Sequence, residues 1–228
     1  MITSAFIAGT DTEVGKTVIT CGLLRVLIEA GRSAVGMKPV ATGAAQTAAG
    51  LRNDDAVCLI ENSKPVLDYD TINPCVYLAP ASPNISAAQM GLEVKLNLIE
   101  AAYNRCRAET DIVLVEGIGG WRVPLSDSIQ TVDLVRILKL PVILVCGIRL
   151  GCINHALLSA ETIIRDGLEL VGWVANGIDP SYRYEAETVQ LLRGQIPAPL
   201  LGITGWQNPL AIGAIAADLK AGATNLFV

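Results

Sequence analysis

The runs "DIVLVEG" (111–117) and "PVILVCG" (141–147) are apolar at successive positions, with no polar alternation between them. A strand of this kind is buried on both faces, so its sheet needs helices on both sides, the arrangement of parallel strands joined by crossover helices. Further β-branched runs extend the pattern and predict strands at Thr3–Ala8, Ser33–Val40, Asp111–Glu116, Val142–Gly147, Leu170–Ala175 and Leu200–Ile203. Segments of helical period separate them. "KTVITCGLLRVLIEAG" sets Val18, Leu23, Leu24, Leu27 and Ile28 on one stripe and closes with Gly31 as a cap. Other helices are expected at Asp54–Glu61, Glu93–Ala108, Val132–Leu138, Asn154–Asp166, Tyr184–Leu192 and Pro209–Ala221, and "TINPCVYLAPASPNIS" (71–86) reads as an ordered surface loop. With 228 residues, 51% of them apolar, the length suits one α/β domain over 1–228 with a mostly parallel sheet.

The charge balance narrows the function. A formal net charge of −5 gives no basic field for a polyanion, so neither nucleic acid nor an anionic membrane surface is expected as a main partner. Any phosphate must be handled locally. The six cysteines are scattered without a C-x-x-C pair, which argues against a zinc site or a disulfide framework. The N-terminal "MITSAFIAG" lacks a signal peptide's basic start, and no apolar run reaches the ~18 residues of a membrane span, so a cytoplasmic protein is expected.

Local phosphate handling has an obvious seat. "GTDTEVGKT" (9–17) stands between the first predicted strand and the first predicted helix, where backbone N–H groups and a helix N-terminus wrap a phosphate. Gly15, Lys16 and Thr17 form the end of a P-loop, but five residues rather than four lie between Gly9 and Gly15, and taken alone the stretch could be a glycine turn. Three further features bear on it. Glu116 ends an apolar strand and is followed by "GIGG", the position at which P-loop proteins hold Mg²⁺. Lys38 and Thr42, in "KPVATG", flank the end of the second strand, and a second lysine beside Lys16 suits chemistry joining two negative groups, although taken alone Lys38 reads as an ordinary surface lysine. Both lysines are expected at a solvated strand edge. Asp54 and Asp55 open a helix, where either could be a metal ligand or simply favour the helix N-terminus.

"GTDTEVGKT", "KPVATG", "RNDDA", "SPNISA", "VEGIGGW", "PLSD", "LPVILV", "LGCINHA" and "GWVAN" occur in this order from Gly9 to Asn176. Together they resemble the dethiobiotin synthetase family of biotin biosynthesis, whose phosphate loop has the longer G-T-D-T-x-V-G-K-T spelling. The resemblance implies a P-loop NTPase fold and an ATP- and Mg²⁺-dependent cyclo-ligase. It would carboxylate 7,8-diaminopelargonic acid with CO₂ to an N-carbamate, phosphorylate that to a carbamic–phosphoric anhydride, and close the ring to dethiobiotin with release of ADP and phosphate. Carried over to this chain, Lys38, Lys16 and Thr12 are catalytic, Thr42 binds the carbamate, and Thr17, Asp55 and Glu116 bind Mg²⁺. The N-x-D-A spacing selects Asp55 over Asp54. The nucleotide would touch Glu13, Val14, Gly15, Lys16, Thr17, Val18, Asp55, Glu116, Gly117, Ile118 and Gly119, with Asn176 at the adenine edge and Gly205, Trp206 and Gln207 near the base. The family acts as a homodimer, so Gly151, Cys152 and Asn154 would receive the substrate's carboxylate tail across the interface. His155, the single histidine, is assigned a helix-packing or interface role.

The chain departs from the family pattern in four places. Asn84 stands where Ser-Pro-His is commoner, and "GITGWQNPLA" shows no acidic counterpart for the ribose. Thr188 occupies the place of a tail-binding tyrosine, with Tyr182 and Tyr184 nearby. The spacing after Trp206 is short. The competing function is a nucleotide-dependent dimeric switch of the partitioning or metal-carrier class. Such proteins usually carry a second lysine inside the loop, and residues 9–15 have none.

Overall fold

The computed structural model describes residues 1–209 and 211–228. The chain runs β1 (Ser4–Gly9), α1 (Lys16–Glu29), β2 (Ala34–Met37), β3 (Val40–Ala41), β4 (Ala45–Thr47), β5 (Gly50–Arg52), α2 (Asp54–Glu61), α3 (Tyr69–Ile72), β6 (Cys75–Val76) and α4 (Pro83–Gln89). It continues through α5 (Leu96–Glu109), β7 (Ile112–Glu116), α6 (Thr131–Leu138), β8 (Val142–Ile148), α7 (Cys152–Arg165), β9 (Leu170–Gly177), α8 (Glu185–Gln195), β10 (Leu200–Thr204) and α9 (Ile212–Phe227).

Six strands form one parallel sheet in the order β10-β9-β8-β1-β7-β2. Because successive side chains on a strand point to opposite faces, the continuous apolar runs feed two cores. Phe6, Val113, Val115 and Leu144 join α5, α6 and α7 on one face, while Ala5, Ile7, Leu114 and Val145 join α1 and α9 on the other. α1 stops where the sequence says it must: Gly31 takes φ +83° and donates to the Ile28 carbonyl while Arg32 donates to that of Leu27, satisfying two end carbonyls.

Three expectations need correction. The strand expected at Ser33–Val40 ends at Met37, because Pro39 cannot donate to a ladder; Val40–Ala41 pairs instead with β6 in a separate two-stranded sheet. The segment 71–86 is not a loop throughout, since it contains β6 and the start of α4, which opens with Pro83 in its first turn. The last helix begins at Ile212 and runs to Phe227, so Pro209 lies before it and Leu210 lies outside the described residues.

The crossover order places the carboxyl end of β1 at the middle of the sheet, between β8 and β7, where ligands of open α/β sheets gather. Met37 pairs with Val115, so Lys38 and Glu116, one residue further on, emerge side by side.

Candidate functional site

The loop from β1 to α1 is shaped by its glycines. Gly15 takes φ +87°, and a Cβ there would overlap the amide of Asn176, while one on Gly9 would stand 2.9 Å from the Lys16 Nζ. Glu13 also takes a left-handed φ, 59°. Lys16 folds back across the loop, donating to the Asp11 carbonyl at 2.9 Å and the Gly119 carbonyl at 2.8 Å. Arg149 holds the Asp11 carboxylate from outside at 3.1 Å.

Opposite Lys16, Lys38 donates to Glu116 Oε1 at 2.6 Å, Asp55 Oδ2 at 2.8 Å and the Gly117 carbonyl at 3.2 Å. Thr17 Oγ1 donates to the same Glu116 oxygen at 2.8 Å. The other, Oε2, is buried with no hydrogen-bond partner. Asp55 reaches this cluster from the first turn of α2, whereas Asp54 is exposed.

The electrostatics separate the two lysines. Burial, with Lys38 close by, pulls Lys16 down to about 8. Burial acts on Lys38 in the same direction but is outweighed by the Glu116 and Asp55 carboxylates, which hold it above the ordinary lysine value. Asp55 is held below the usual carboxylate range because Lys38 overcomes its own desolvation. Neither lysine stands at a solvated edge as the sequence suggested: Lys16 is 7% exposed and Lys38 3%. Their charge is matched by backbone carbonyls and carboxylates that close over them.

A cleft of about 370 Å³ opens on this cluster. Thr12, Glu13, Gly15, Lys16, Thr17, Val18, Lys38, Thr42, Asp55, Glu116, Ile118 and Gly119 line it, as do Ala41 and Asn53, which were not among the expected site residues. Asn53 was legible as the cap of α2: its side chain accepts from the Ala56 N–H, and the same side chain donates to the Thr42 carbonyl at 3.3 Å. A second cavity of about 480 Å³ shares Thr12, Thr42, Ile118 and Gly119 with the first and continues between Pro80–Pro83 and Arg122–Pro124.

Other expected residues lie away from the cleft wall. Val14 is buried, and its carbonyl accepts from Asn176 Nδ2 at 2.9 Å, while Asn176 Oδ1 accepts from Thr204 at 2.7 Å. Asn176 thus ties the phosphate loop to β10. The Gly117 carbonyl faces Lys38, and Gly205, Trp206 and Gln207 follow β10 outside the cleft. Gly151, Cys152 and Asn154 stand at the start of α7, also outside it. His155 is exposed, which removes a packing role within the chain. Two departures acquire neighbours: Tyr182 Oη and Thr188 Oγ1 are 2.8 Å apart, and the Glu185 carboxylate crowds Gly177 beside the Trp206 N–H.

A parallel sheet with a lysine-bearing phosphate loop at its central strand and an acidic residue ending the next strand defines a P-loop nucleotide-binding protein. The profile of a family described as an AAA domain matches residues 3–211. ATP-dependent dethiobiotin synthetase BioD 1 of Escherichia coli K12 is 48% identical over 206 residues, covering 90% of this chain and 92% of that one. The BioD enzyme of Aromatoleum aromaticum is 49% identical over 216 residues, 95% of this chain and 94% of that one. Among solved structures, the MinC:MinD cell division complex of Aquifex aeolicus superposes with a TM-score of 0.61 at 12% identity, covering 99% of this chain and 96% of that one, a likeness of fold alone. The chain belongs to the ATP-dependent dethiobiotin synthetase family, and it is an enzyme of the ligase class. Among the described residues no helix is long and apolar enough to cross a membrane.

Proposed function

We propose that this chain converts 7,8-diaminopelargonic acid, CO₂ and ATP to dethiobiotin, ADP and phosphate in the cytoplasm. The observation that carries the reading is the convergence of Lys16, from the start of α1, and Lys38, from the end of β2, on one cleft with Thr12, Thr42 and two carboxylates. A switch protein needs a phosphate sensor. A ligase that joins a carbamate to a phosphoryl group needs cations for both negative partners, and the sequence supplies the second lysine outside the loop.

In this reading Gly15 to Val18 hold the β- and γ-phosphates at the α1 N-terminus, and Lys16 meets the transferring phosphoryl group. Thr12 and Thr42 hydrogen-bond the carbamate, and Lys38 offsets its charge as it attacks. The neighbouring amine then closes the ring and expels phosphate. The anhydride formed between these steps is water-sensitive, so holding both reacting ends in a narrow cleft is itself catalytic.

The donor set also fits Mg²⁺. Glu116 Oε2 is buried and unpartnered, Thr17 offers a hydroxyl beside it, and Asp55 stands across Lys38. Two carboxylates and a hydroxyl match an ion that keeps several waters and borrows substrate phosphates. Bound there with ATP, the ion would offset charge on the phosphates. The tail carboxylate would be received at Gly151, Cys152 and Asn154 of a second subunit, since these residues lie outside their own chain's cleft. Asn176 and Gly205–Gln207 would border the base.

The test is ADP release from Mg-ATP and bicarbonate with and without the diamine, with the product weighed by mass spectrometry. Diamine-dependent release and a product heavier by one carbonyl less two hydrogens support the reading. Turnover indifferent to the diamine, or none, moves the weight to a switch.

A further inference from the structure

The cleft depends on three stretches that are not neighbours in the sheet: Lys38 after β2, Thr42 after β3, and Asp55 on α2. A single hydrogen-bonded relay, buried at Asn73 and half-buried at Tyr69 and Asn53, joins all three. Asn73, 1% exposed, donates from Nδ2 to the Lys38 carbonyl at 2.7 Å. Its Oδ1 accepts from the Tyr69 hydroxyl at 2.9 Å, and that hydroxyl accepts from the Asn53 N–H at 2.8 Å. Asn53 in turn caps α2, one residue before Asp54, and holds the Thr42 carbonyl. The Arg52 guanidinium lies 4.0 Å over the Tyr69 ring and presses it into place. Tyr69 and Asn73 do not line the cleft. Their polar atoms are spent on the backbone that carries the residues which do.

We propose that Tyr69 and Asn73 are positioning residues for the ligase reaction, fixing Lys38, Thr42 and Asp55 relative to one another; this rests on the dethiobiotin-forming reading above. Apolar groups in their place would leave the Lys38 carbonyl and the Asn53 N–H unpaired, and unpaired polar atoms away from water cost free energy, so the relay serves stability too. Two of its bonds also fall where functional side chains depart, at the Lys38 carbonyl and at the α2 N-terminus, while Asn73 Nδ2 makes a longer bond to the Cys75 carbonyl at 3.4 Å. Lys38 has a long, flexible stem, and its ammonium stays between two carboxylates only if its own backbone and the α2 N-terminus keep their spacing.

Tyr69→Phe removes one oxygen and leaves the Asn53 N–H and Asn73 Oδ1 unpaired. Asn73→Asp keeps the acceptor for Tyr69 but turns an oxygen toward the Lys38 carbonyl. Either variant should lower kcat about tenfold or more, since small misplacements in a reacting cluster are costly, while the KM for ATP rises by a smaller factor, because the phosphate loop keeps its contacts and only Asp55 is shared with the nucleotide. Tyr77→Phe is the control: Tyr77 is more buried than the half-buried Tyr69, and its hydroxyl donates to the Glu93 carbonyl, which lies outside the cleft. It should lower the melting temperature like Tyr69→Phe yet leave kcat unchanged. Equal kcat in Tyr69→Phe and wild type, or an equal fall in Tyr77→Phe, overturns the inference. If the wild-type protein forms no dethiobiotin, the reading of the reaction fails instead, and a crystal structure of Tyr69→Phe decides the positioning role without turnover: unchanged Lys38 contacts to Asp55 and Glu116 overturn it, and their loss supports it. Should Asn73→Asp not fold, the isosteric Tyr69→Phe carries both measurements.

Discussion

The ammonium of Lys38 stands 2.6 Å from Glu116 Oε1 and 2.8 Å from Asp55 Oδ2, so a lysine bridges the two carboxylates to which a metal ion is assigned. The pair with Glu116 is almost fully buried, and breaking such a pair from one side leaves an uncompensated charge. Lys38→Gln is therefore expected to cost about 3–5 kcal/mol of stability. Thermal unfolding at low ionic strength checks this, and added Mg²⁺ should restore more of the loss in the variant than it adds to the wild type. An unchanged melting temperature would mean that water takes the place of the ammonium at the two carboxylates.

Lys16 should make ATP binding depend on pH. Its folded value of about 8 lies below the unfolded value near 10.5. Below pH 8 it is charged in both states and the folded protein bears the full penalty, about 3 kcal/mol. Between pH 8 and 10.5 the unfolded chain binds more protons, so stability rises with pH across that window and Lys16→Met should flatten the rise. A phosphate beside Lys16 restores its charge, so ATP binding at pH 8.5 should take up a proton. Calorimetry in buffers of different ionisation heat would show it, and Lys16→Gln should abolish it.

Much of this was legible in the sequence, and the limits have physical causes. The β7 and β8 runs were found to within a residue or two because burial on both faces leaves no other reading of "IVLV" and "VILV". The places of Lys16 and Thr17 at a helix start and of Glu116 at a strand end were equally clear, since local pattern defines both. α3 and α4 were not, because four and seven residues are too few for a helical period to declare itself. Ser82 and Pro83 nevertheless carry a helix-start signature that a loop reading overlooked. The burial of Lys38 was out of reach, because it follows from the β2–β7 register and the docking of α2. Asn73 and Tyr69 left no local signal at all.

Gly15→Ala should abolish nucleotide binding with little loss of the core. The φ of +87° is strained for any L side chain, and the new methyl would displace the Asn176 amide that ties the loop to β10. An ATP dissociation constant raised at least about tenfold, with the far-ultraviolet spectrum retained, is the expected result. Wild-type affinity would show that the loop rearranges freely.

Cys21 on α1 and Cys58 on α2 have their sulfurs 3.3 Å apart, although the sequence scattered them. The six cysteines are free. Their shared hydrogen bond lowers the Cys58 thiol below its ordinary value, and Cys58 is the more accessible of the two. Mild hydrogen peroxide should convert this pair to a disulfide, two thiols and one peroxide giving two waters. A mass loss of two hydrogens, absent in Cys58→Ala and reversed by dithiothreitol, checks it. Peptide mapping that finds any other pair would refute it.

The pairing of Met37 with Val115 has an evolutionary corollary. Strand side chains alternate faces, so slipping β2 by one residue would turn Lys38 away from Glu116 and at the same time send Val35 and Met37 from one core to the opposite face of the sheet. The apolar residues that choose the register are thus also choosing where a charge is delivered. Along β2, a substitution made for packing is read out as chemistry, and drift in the core is policed by the reaction at its edge.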